Sequence, residues 1–113
     1  MTAEMLEQQK QNYAPWMTQL EQSLPEEQYD LVDRVLDFAA RAHCGQFRKS
    51  GEPYITHPCA VAKILIDYGM DYETIAAALL HDVVEDTDMS REDITQRFGA
   101  VVAHLVDGVT KLD

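Results

Sequence analysis

Residues 74–87 read TIAAALLHDVVEDT, an almost uninterrupted apolar run that turns acidic at its end. Ile75, Leu79 and Val83 recur at four-residue spacing, which predicts a helix that buries this face in a core. Asp71 precedes the run and is a residue type that often caps a helix N-terminus. The stretch therefore predicts a core helix whose last turns carry a histidine and several acids.

The same periodicity continues along the rest of the chain, so the predicted fold class is all-α. Ser23 and Pro25 are typical of a helix start, with the serine as the cap, and this helix is expected to run to about His43. Glycines and prolines between Cys44 and Pro58 predict a long polar loop. Loops of this kind often carry function.

Further helix boundaries can be predicted on both sides of these elements. Thr56 is expected to cap a helix from Pro58 to about Tyr68. Ser90 and Asp93 have the three-residue spacing of a capping box. The remaining expected elements are a short helix after Ser90 ending at Phe98, a last helix from about Ala100 to Gly108, and a weak helix from about Ala3 to Leu20 that Pro15 interrupts.

Composition limits the classes of protein and partner. The 113 residues suggest one domain, and a formal net charge of −11 argues against binding nucleic acid or an anionic membrane over a broad surface. Cys44 and Cys59 are too few for a disulfide scaffold and are expected to be free thiols. The first residues do not have the pattern of a signal peptide, and no apolar run reaches about 20 residues. We therefore expect a cytoplasmic protein. Residues 1–24 are expected to form an N-terminal helical extension.

Histidine and acids cluster at the end of the 74–87 helix. His81, Asp82, Glu85 and Asp86 are three or four residues apart, which places them on neighbouring parts of one helix surface. A neutral imidazole and a carboxylate can bind the same divalent cation. A third ligand from elsewhere would complete an open catalytic site that activates water. His57, which lies in a segment stiffened by two prolines, is the candidate for that ligand.

Two adjacent cations, Arg48 and Lys49, precede His57 in the loop. In an acidic protein they are credible contacts for an anion or an aromatic ring, and an arginine can stack on a flat base. Each feature alone has an ordinary explanation: His81–Asp82 as a helix-surface pair, His57 as a loop residue bonded to backbone, and the cations as solvated side chains. A zinc site is a further alternative, although its spacing matches no zinc knuckle; it would use His43, Cys44, His57 and Cys59.

Taken together, three segments resemble the HD-domain phosphohydrolases, specifically the hydrolase domain of the Rel/Spo family of alarmone synthetase-hydrolases. They are residues 42–58 (AHCGQFRKSGEPYITHP), residues 77–87 (AALLHDVVEDT) and residues 105–112 (LVDGVTKL), with Phe98-Gly99 before the last. The resemblance covers about residues 29–113. It implies an HD-type helical bundle that removes pyrophosphate from the 3′ position of guanosine tetraphosphate or pentaphosphate, with manganese as cofactor.

The resemblance also implies roles for individual residues. His43 matches the start of the family's loop, without a catalytic role. The implied site has metal ligands at His57, His81 and Asp82, water activation by Glu85 and Asp86, and guanine contacts from Arg48, Lys49 and Ser50.

One part of the family pattern does not occur here. The family's fourth metal ligand is an aspartate in a downstream motif, so residues 25–113 are expected to be a partial HD hydrolase domain, truncated before the last metal-ligand helix. Two other functions remain open. One is a different HD-type nucleotide phosphohydrolase, which would lack the Arg48–Pro53 loop. The other is a non-catalytic nucleotide-binding or regulatory module.

Overall fold

The computed structural model describes Glu4 and residues 14–112, without the side chains of residues 14, 85, 86 and 109–112. Its described part contains no β-strand, only an isolated bridge between Phe47 and Pro53. The all-α prediction is confirmed. The helices are α1 (Ala14–Ser23), α2 (Glu26–Ala42), α3 (Thr56–Asp67), α4 (Tyr72–Asp86), α5 (Arg91–Phe98) and α6 (Ala100–Leu112).

Helix α4 is the centre of the fold, because it packs against α2, α3 and α6. Every residue from Ile75 to Val83 is buried, which confirms the predicted core face and extends burial around the whole helix. Ala76, Ala77 and Ala78 lie in this stretch and are almost fully buried. Their small side chains allow neighbouring helices to approach closely. The helix therefore holds His81 and Asp82, its two buried polar residues, in a rigid position.

Helix α1 packs on α2 and contributes Trp16, Met17 and Leu20 to the common core. Pro15 lies in its first turn, where a missing N–H removes no helical hydrogen bond. The part of the expected N-terminal helix before residue 14 lies outside the described residues, apart from Glu4. The division of the chain after residue 24 stays a prediction.

Two predicted helix caps are wrong. Ser23 ends α1 by donating its hydroxyl to the Gln19 carbonyl at 2.7 Å, and α2 begins after Pro25 without a side-chain cap. Thr56 is itself the first residue of α3, and its hydroxyl donates to the Pro53 carbonyl at 2.8 Å. Both hydroxyls bond to a carbonyl behind them, which competes with capping the amides ahead.

The two aspartate-based caps are confirmed. Asp71 accepts the Thr74 N–H at 2.8 Å. Ser90 and Asp93 form a reciprocal capping box at the start of α5. Hydrogen bonds from Thr74 and Ser90 hold the pKa values of the Asp71 and Asp93 carboxyls below their usual range. These caps fix where α4 and α5 begin.

Other boundaries follow the predictions with one exception. Helix α2 ends at Ala42, α3 at Asp67 and α5 at Phe98, as expected within a residue. Helix α6 was expected to fade at Gly108 but continues to Leu112. A single glycine costs a helix only about 1 kcal/mol, which is too little to end it. Within the described residues, no helix is long and apolar enough to cross a membrane.

Candidate metal centre

His81 and Asp82 lie on the penultimate turn of α4, where both are buried. The Nδ1 atom of His81 is 2.8 Å from the Ala78 carbonyl oxygen. A carbonyl only accepts, so Nδ1 carries a proton and donates, and in the neutral form of the ring Nε2 then keeps its lone pair. Backbone bonding of this kind fixes both the tautomer and the orientation of a metal-ligating imidazole.

The predicted ligands His57, His81 and Asp82 converge. His81 Nε2 lies 3.3 Å from Asp82 Oδ1, and His57 Nε2 lies 3.8 Å from Asp82 Oδ2. One ligand atom from each of the three residues falls within 4.8 Å of the others, and no second cluster of this kind occurs among the described residues. His57 on α3 and Asp82 on α4, which are 25 positions apart in the chain, thus belong to one cluster.

These donors fit a divalent cation. A cation about 2.0–2.3 Å from each nitrogen and oxygen requires ligand atoms that are roughly 3 to 4.5 Å apart. The observed separations need only a small contraction. The His81 side chain is 5% exposed and the His57 side chain 38%, so the cluster is closed on the α4 side and open on the α3 side. An open side is what a catalytic rather than a structural site requires.

Tyr54 belongs to the same cluster, although sequence reasoning did not single it out. Its hydroxyl donates to Asp82 Oδ2 at 3.1 Å. Its ring centroid lies 4.8 Å from that of His43 and 6.2 Å from that of His57. The only signal in the sequence was its place in the loop three residues before His57.

The loop before α3 folds back as a tight hairpin. The Arg48 N–H donates to the Glu52 carbonyl at 2.8 Å, and the Gly51 N–H donates to the Arg48 carbonyl at 2.9 Å. Gly51 has a φ of +91°, a conformation that residues with a side chain rarely adopt. The turn presents Arg48, Lys49 and Ser50 to solvent.

A cleft of about 610 Å³ lies between this turn and His57, one of the three candidate metal ligands. It brings the predicted substrate contacts next to His57, the open side of the cluster. Two cationic side chains, Arg48 and Lys49, therefore line the same cleft as His57, one of the three candidate ligands. The lining residues are Phe47, Arg48, Lys49, Ser50, Glu52, Tyr54 and His57.

Other sequence-based predictions have mixed outcomes. Glu85 and Asp86 lie in the last turn of α4, but their side chains are outside the described residues, so their predicted role stays a prediction. His43 is buried, and its Nδ1 is 3.0 Å from Gln46 Oε1. The described residues contain no zinc cluster built on Cys44 and Cys59. Neither thiol is part of a disulfide, as expected.

Comparison with known proteins gives a match to one family. Residues 35–113 match the HD domain family. The chain is 57% identical over 90 residues to the bifunctional (p)ppGpp synthase/hydrolase SpoT of Escherichia coli, 57% identical over 81 residues to a guanosine-3′,5′-bis(diphosphate) 3′-pyrophosphohydrolase of Aquifex aeolicus, and 54% identical over 89 residues to a probable GTP pyrophosphokinase of Mycobacterium leprae.

The matched regions are a large part of this chain and a small part of the relatives. They cover 80%, 72% and 79% of this chain, in the same order, but only 13%, 12% and 11% of those proteins. The similarity to the HD domain family therefore includes the helical region that contains the candidate ligands His57, His81 and Asp82.

Proposed function

We propose that this chain, which belongs to the HD domain family, is the metal-binding part of a hydrolase that removes pyrophosphate from the 3′ position of guanosine tetraphosphate and pentaphosphate. The observation that carries the proposal is the convergence of His57, His81 and Asp82 beside a cleft whose lining includes Arg48 and Lys49. Relatives that carry this activity in their names support the choice of substrate.

His57, His81 and Asp82 would hold the cation, which we propose to be Mn²⁺. When bound, a divalent cation supplies Lewis-acid stabilisation of negative charge on phosphate oxygens. His81 contributes a preset Nε2 lone pair, because its Nδ1 is committed to the Ala78 carbonyl. An aspartate from another helix would add a fourth ligand. The three residues here form one side of the centre.

The turn before α3 would bind the nucleotide. The Arg48 guanidinium would stack on the guanine base, and Lys49 and Ser50 would add polar contacts at the same end of the cleft. With a net charge of −11, the domain favours a small ligand at this local cluster over a nucleic acid backbone or an anionic membrane. We place the activity in the cytoplasm.

Glu85 and Asp86 would act on water. They follow the ligand pair by three or four residues on α4, which puts them on the same stretch of the helix. Their proposed role is to orient the attacking water and take its proton. In the reaction the water oxygen attacks the phosphorus bound to the ribose 3′ oxygen and becomes part of pyrophosphate. The bond to the 3′ oxygen breaks, and that oxygen gains a proton as the nucleotide leaves with a 3′ hydroxyl.

The test is hydrolysis of guanosine tetraphosphate by this chain with Mn²⁺, followed by separation of the nucleotides. We expect slow, Mn²⁺-dependent release of pyrophosphate and guanosine diphosphate that His81→Ala removes. The matched control is His104→Ala, since His104 is exposed on α6 and belongs to no ligand cluster. Binding without turnover would instead support a nucleotide-binding module. Equal turnover of unrelated nucleotides would support a different HD-type hydrolase.

A further inference from the structure

We infer that Tyr54 is a positioning residue for the metal centre: its hydroxyl sets the orientation of the Asp82 carboxylate, and its backbone hydrogen bond to Gln46 joins it to the hairpin that carries the proposed substrate-binding turn. The inference rests on the proposed metal-dependent function and adds to it a residue outside the ligand set.

The two oxygens of the Asp82 carboxylate have different neighbours. Asp82 Oδ1 faces His81 Nε2 at 3.3 Å, whereas Oδ2 accepts the Tyr54 hydroxyl at 3.1 Å. Rotation of a carboxylate about its last bond is broad and poorly defined by sterics alone. A hydroxyl donor on one lone pair of Oδ2 selects one orientation and leaves the remaining lone pairs for a cation. Hydrogen bonding to ligating carboxylates is a general means of fixing metal geometry.

Tyr54 is itself held in place by its backbone and by its ring. Its N–H donates to the Gln46 carbonyl at 2.9 Å, and its carbonyl accepts the His57 N–H at 3.0 Å. Its ring lies against the buried His43 ring, and His43 in turn is bonded to the Gln46 side chain. Backbone and ring are thus fixed independently, so the hydroxyl is presented to Asp82 from a rigid frame.

Tyr54 lies at the border between the candidate ligands and the cleft. Tyr54 also lines the cleft together with Arg48 and Lys49, and its N–H bond to Gln46 closes the hairpin that carries the turn. One side chain therefore contacts both the cleft and a metal ligand. A displacement of the turn would be transmitted to Asp82 through a single hydroxyl.

The test is Tyr54→Phe, which keeps the ring and removes only the hydroxyl. Mn²⁺ affinity is measured by electron paramagnetic resonance of the free ion, and coordination geometry by the visible spectrum of the Co²⁺-loaded protein. We expect Mn²⁺ to bind about 10- to 100-fold more weakly, the range found for partners of metal ligands, and the Co²⁺ bands to change. Thermal unfolding in EDTA checks that the fold is retained.

The matched control is Tyr72→Phe. Tyr72 is partly buried like Tyr54, but begins α4 about 15 Å along the helix from Asp82. Unchanged Mn²⁺ affinity and Co²⁺ spectrum in Tyr54→Phe would overturn the inference and leave the proposed function standing. An equal loss in Tyr72→Phe would also overturn it, since general destabilisation would then be the cause. Absence of Mn²⁺ binding to the unmodified chain would overturn the metal-centre proposal and this inference together.

Discussion

The carboxylate of Asp82 is 9% exposed and lies among two imidazoles and a phenol. A buried ionised group is costly unless it is paired and hydrogen-bonded. Tyr54 supplies one hydrogen bond, and when the His81 ring is neutral with its proton on Nδ1, its Nε2 turns a lone pair toward the carboxylate. An oxygen and a nitrogen that both present lone pairs to one point are stabilised by a shared cation. This is the physical reason to treat the cluster as a metal centre.

The proposed water-activating pair leads to a prediction about separable functions. Glu85→Gln or Asp86→Asn should reduce hydrolysis by about 10²-fold or more, the typical contribution of general acid–base groups, with Mn²⁺ affinity largely kept. His81→Ala or Asp82→Ala should reduce both, because these side chains are the proposed ligands of the ion. Pyrophosphate release and metal titration, run on the same samples, give the two values. Undiminished hydrolysis in the Glu85 and Asp86 variants would refute their role.

Substrate selection is expected to depend on Arg48. Arg48→Ala should raise the Michaelis constant for guanosine tetraphosphate about tenfold with a smaller effect on turnover, because stacking stabilises ground and transition states alike. Lys49→Ala should act in the same direction but more weakly at high salt, since an exposed ammonium is screened. Initial-rate kinetics at two salt concentrations measure both effects. Lost turnover at an unchanged Michaelis constant in Arg48→Ala would assign the turn to the chemistry.

At the scale of helices, sequence predicted where the elements lie better than how they begin. Asp71 was predicted as a cap from its residue type and Ser90 from the acid three residues ahead, and both side chains accept the N–H three residues ahead. Ser23 and Thr56 have the right residue type, yet both hydroxyls bond to a carbonyl behind them. The choice between the two partners depends on backbone geometry that a local pattern does not contain.

The Asp71 cap gives a prediction with a defined pH dependence. Asp71→Ala should lower the free energy of unfolding by about 1 kcal/mol at pH 7. Hydrogen bonds from the Thr74 side chain and N–H lower the pKa of folded Asp71. The stabilisation is therefore complete above the unfolded pKa of about 4 and is lost as the pH falls through the lower folded value.

Urea unfolding of the two proteins at pH 7 and near pH 3 measures this difference. The matched control is Asp67→Ala, whose carboxylate makes an exposed ion pair with Lys63 at 3.2 Å and should cost under about 0.5 kcal/mol. A difference between Asp71→Ala and the unmodified chain that grew toward low pH would contradict the capping argument.

Across the whole molecule, periodicity and spacing account for the all-α class, the central helix and the ligand pair. The convergence of His57 with His81 depends on α3 packing against α4. The proline-stiffened segment made His57 a candidate, and the resemblance to one family's pattern paired it with the helix. The Tyr54–Asp82 bond joins residues 28 apart and was missed. A tyrosine between a proline and an isoleucine gives no local sign that its hydroxyl reaches another helix.

Because the cluster joins α3 to α4, cation binding should stabilise the entire fold. At an Mn²⁺ concentration 100 times the dissociation constant, linkage gives about 2.7 kcal/mol, or a rise in Tm of roughly 10 °C for a domain of this size. Differential scanning calorimetry with Mn²⁺ and with EDTA measures the shift. His81→Ala should show almost none. An equal rise in that variant would mean that the ion acts on the acidic surface instead.

The two cysteines differ in a way that makes the protein easy to label. Cys44 is exposed, whereas Cys59 is buried in the face that α3 turns to the core. A maleimide dye should therefore attach at a single point without mutagenesis. That point is next to His43, whose ring supports Tyr54, so the fluorophore would report directly on the turn that borders the cleft. A change in its emission on adding nucleotide or Mn²⁺ would give an optical binding assay in the native sequence.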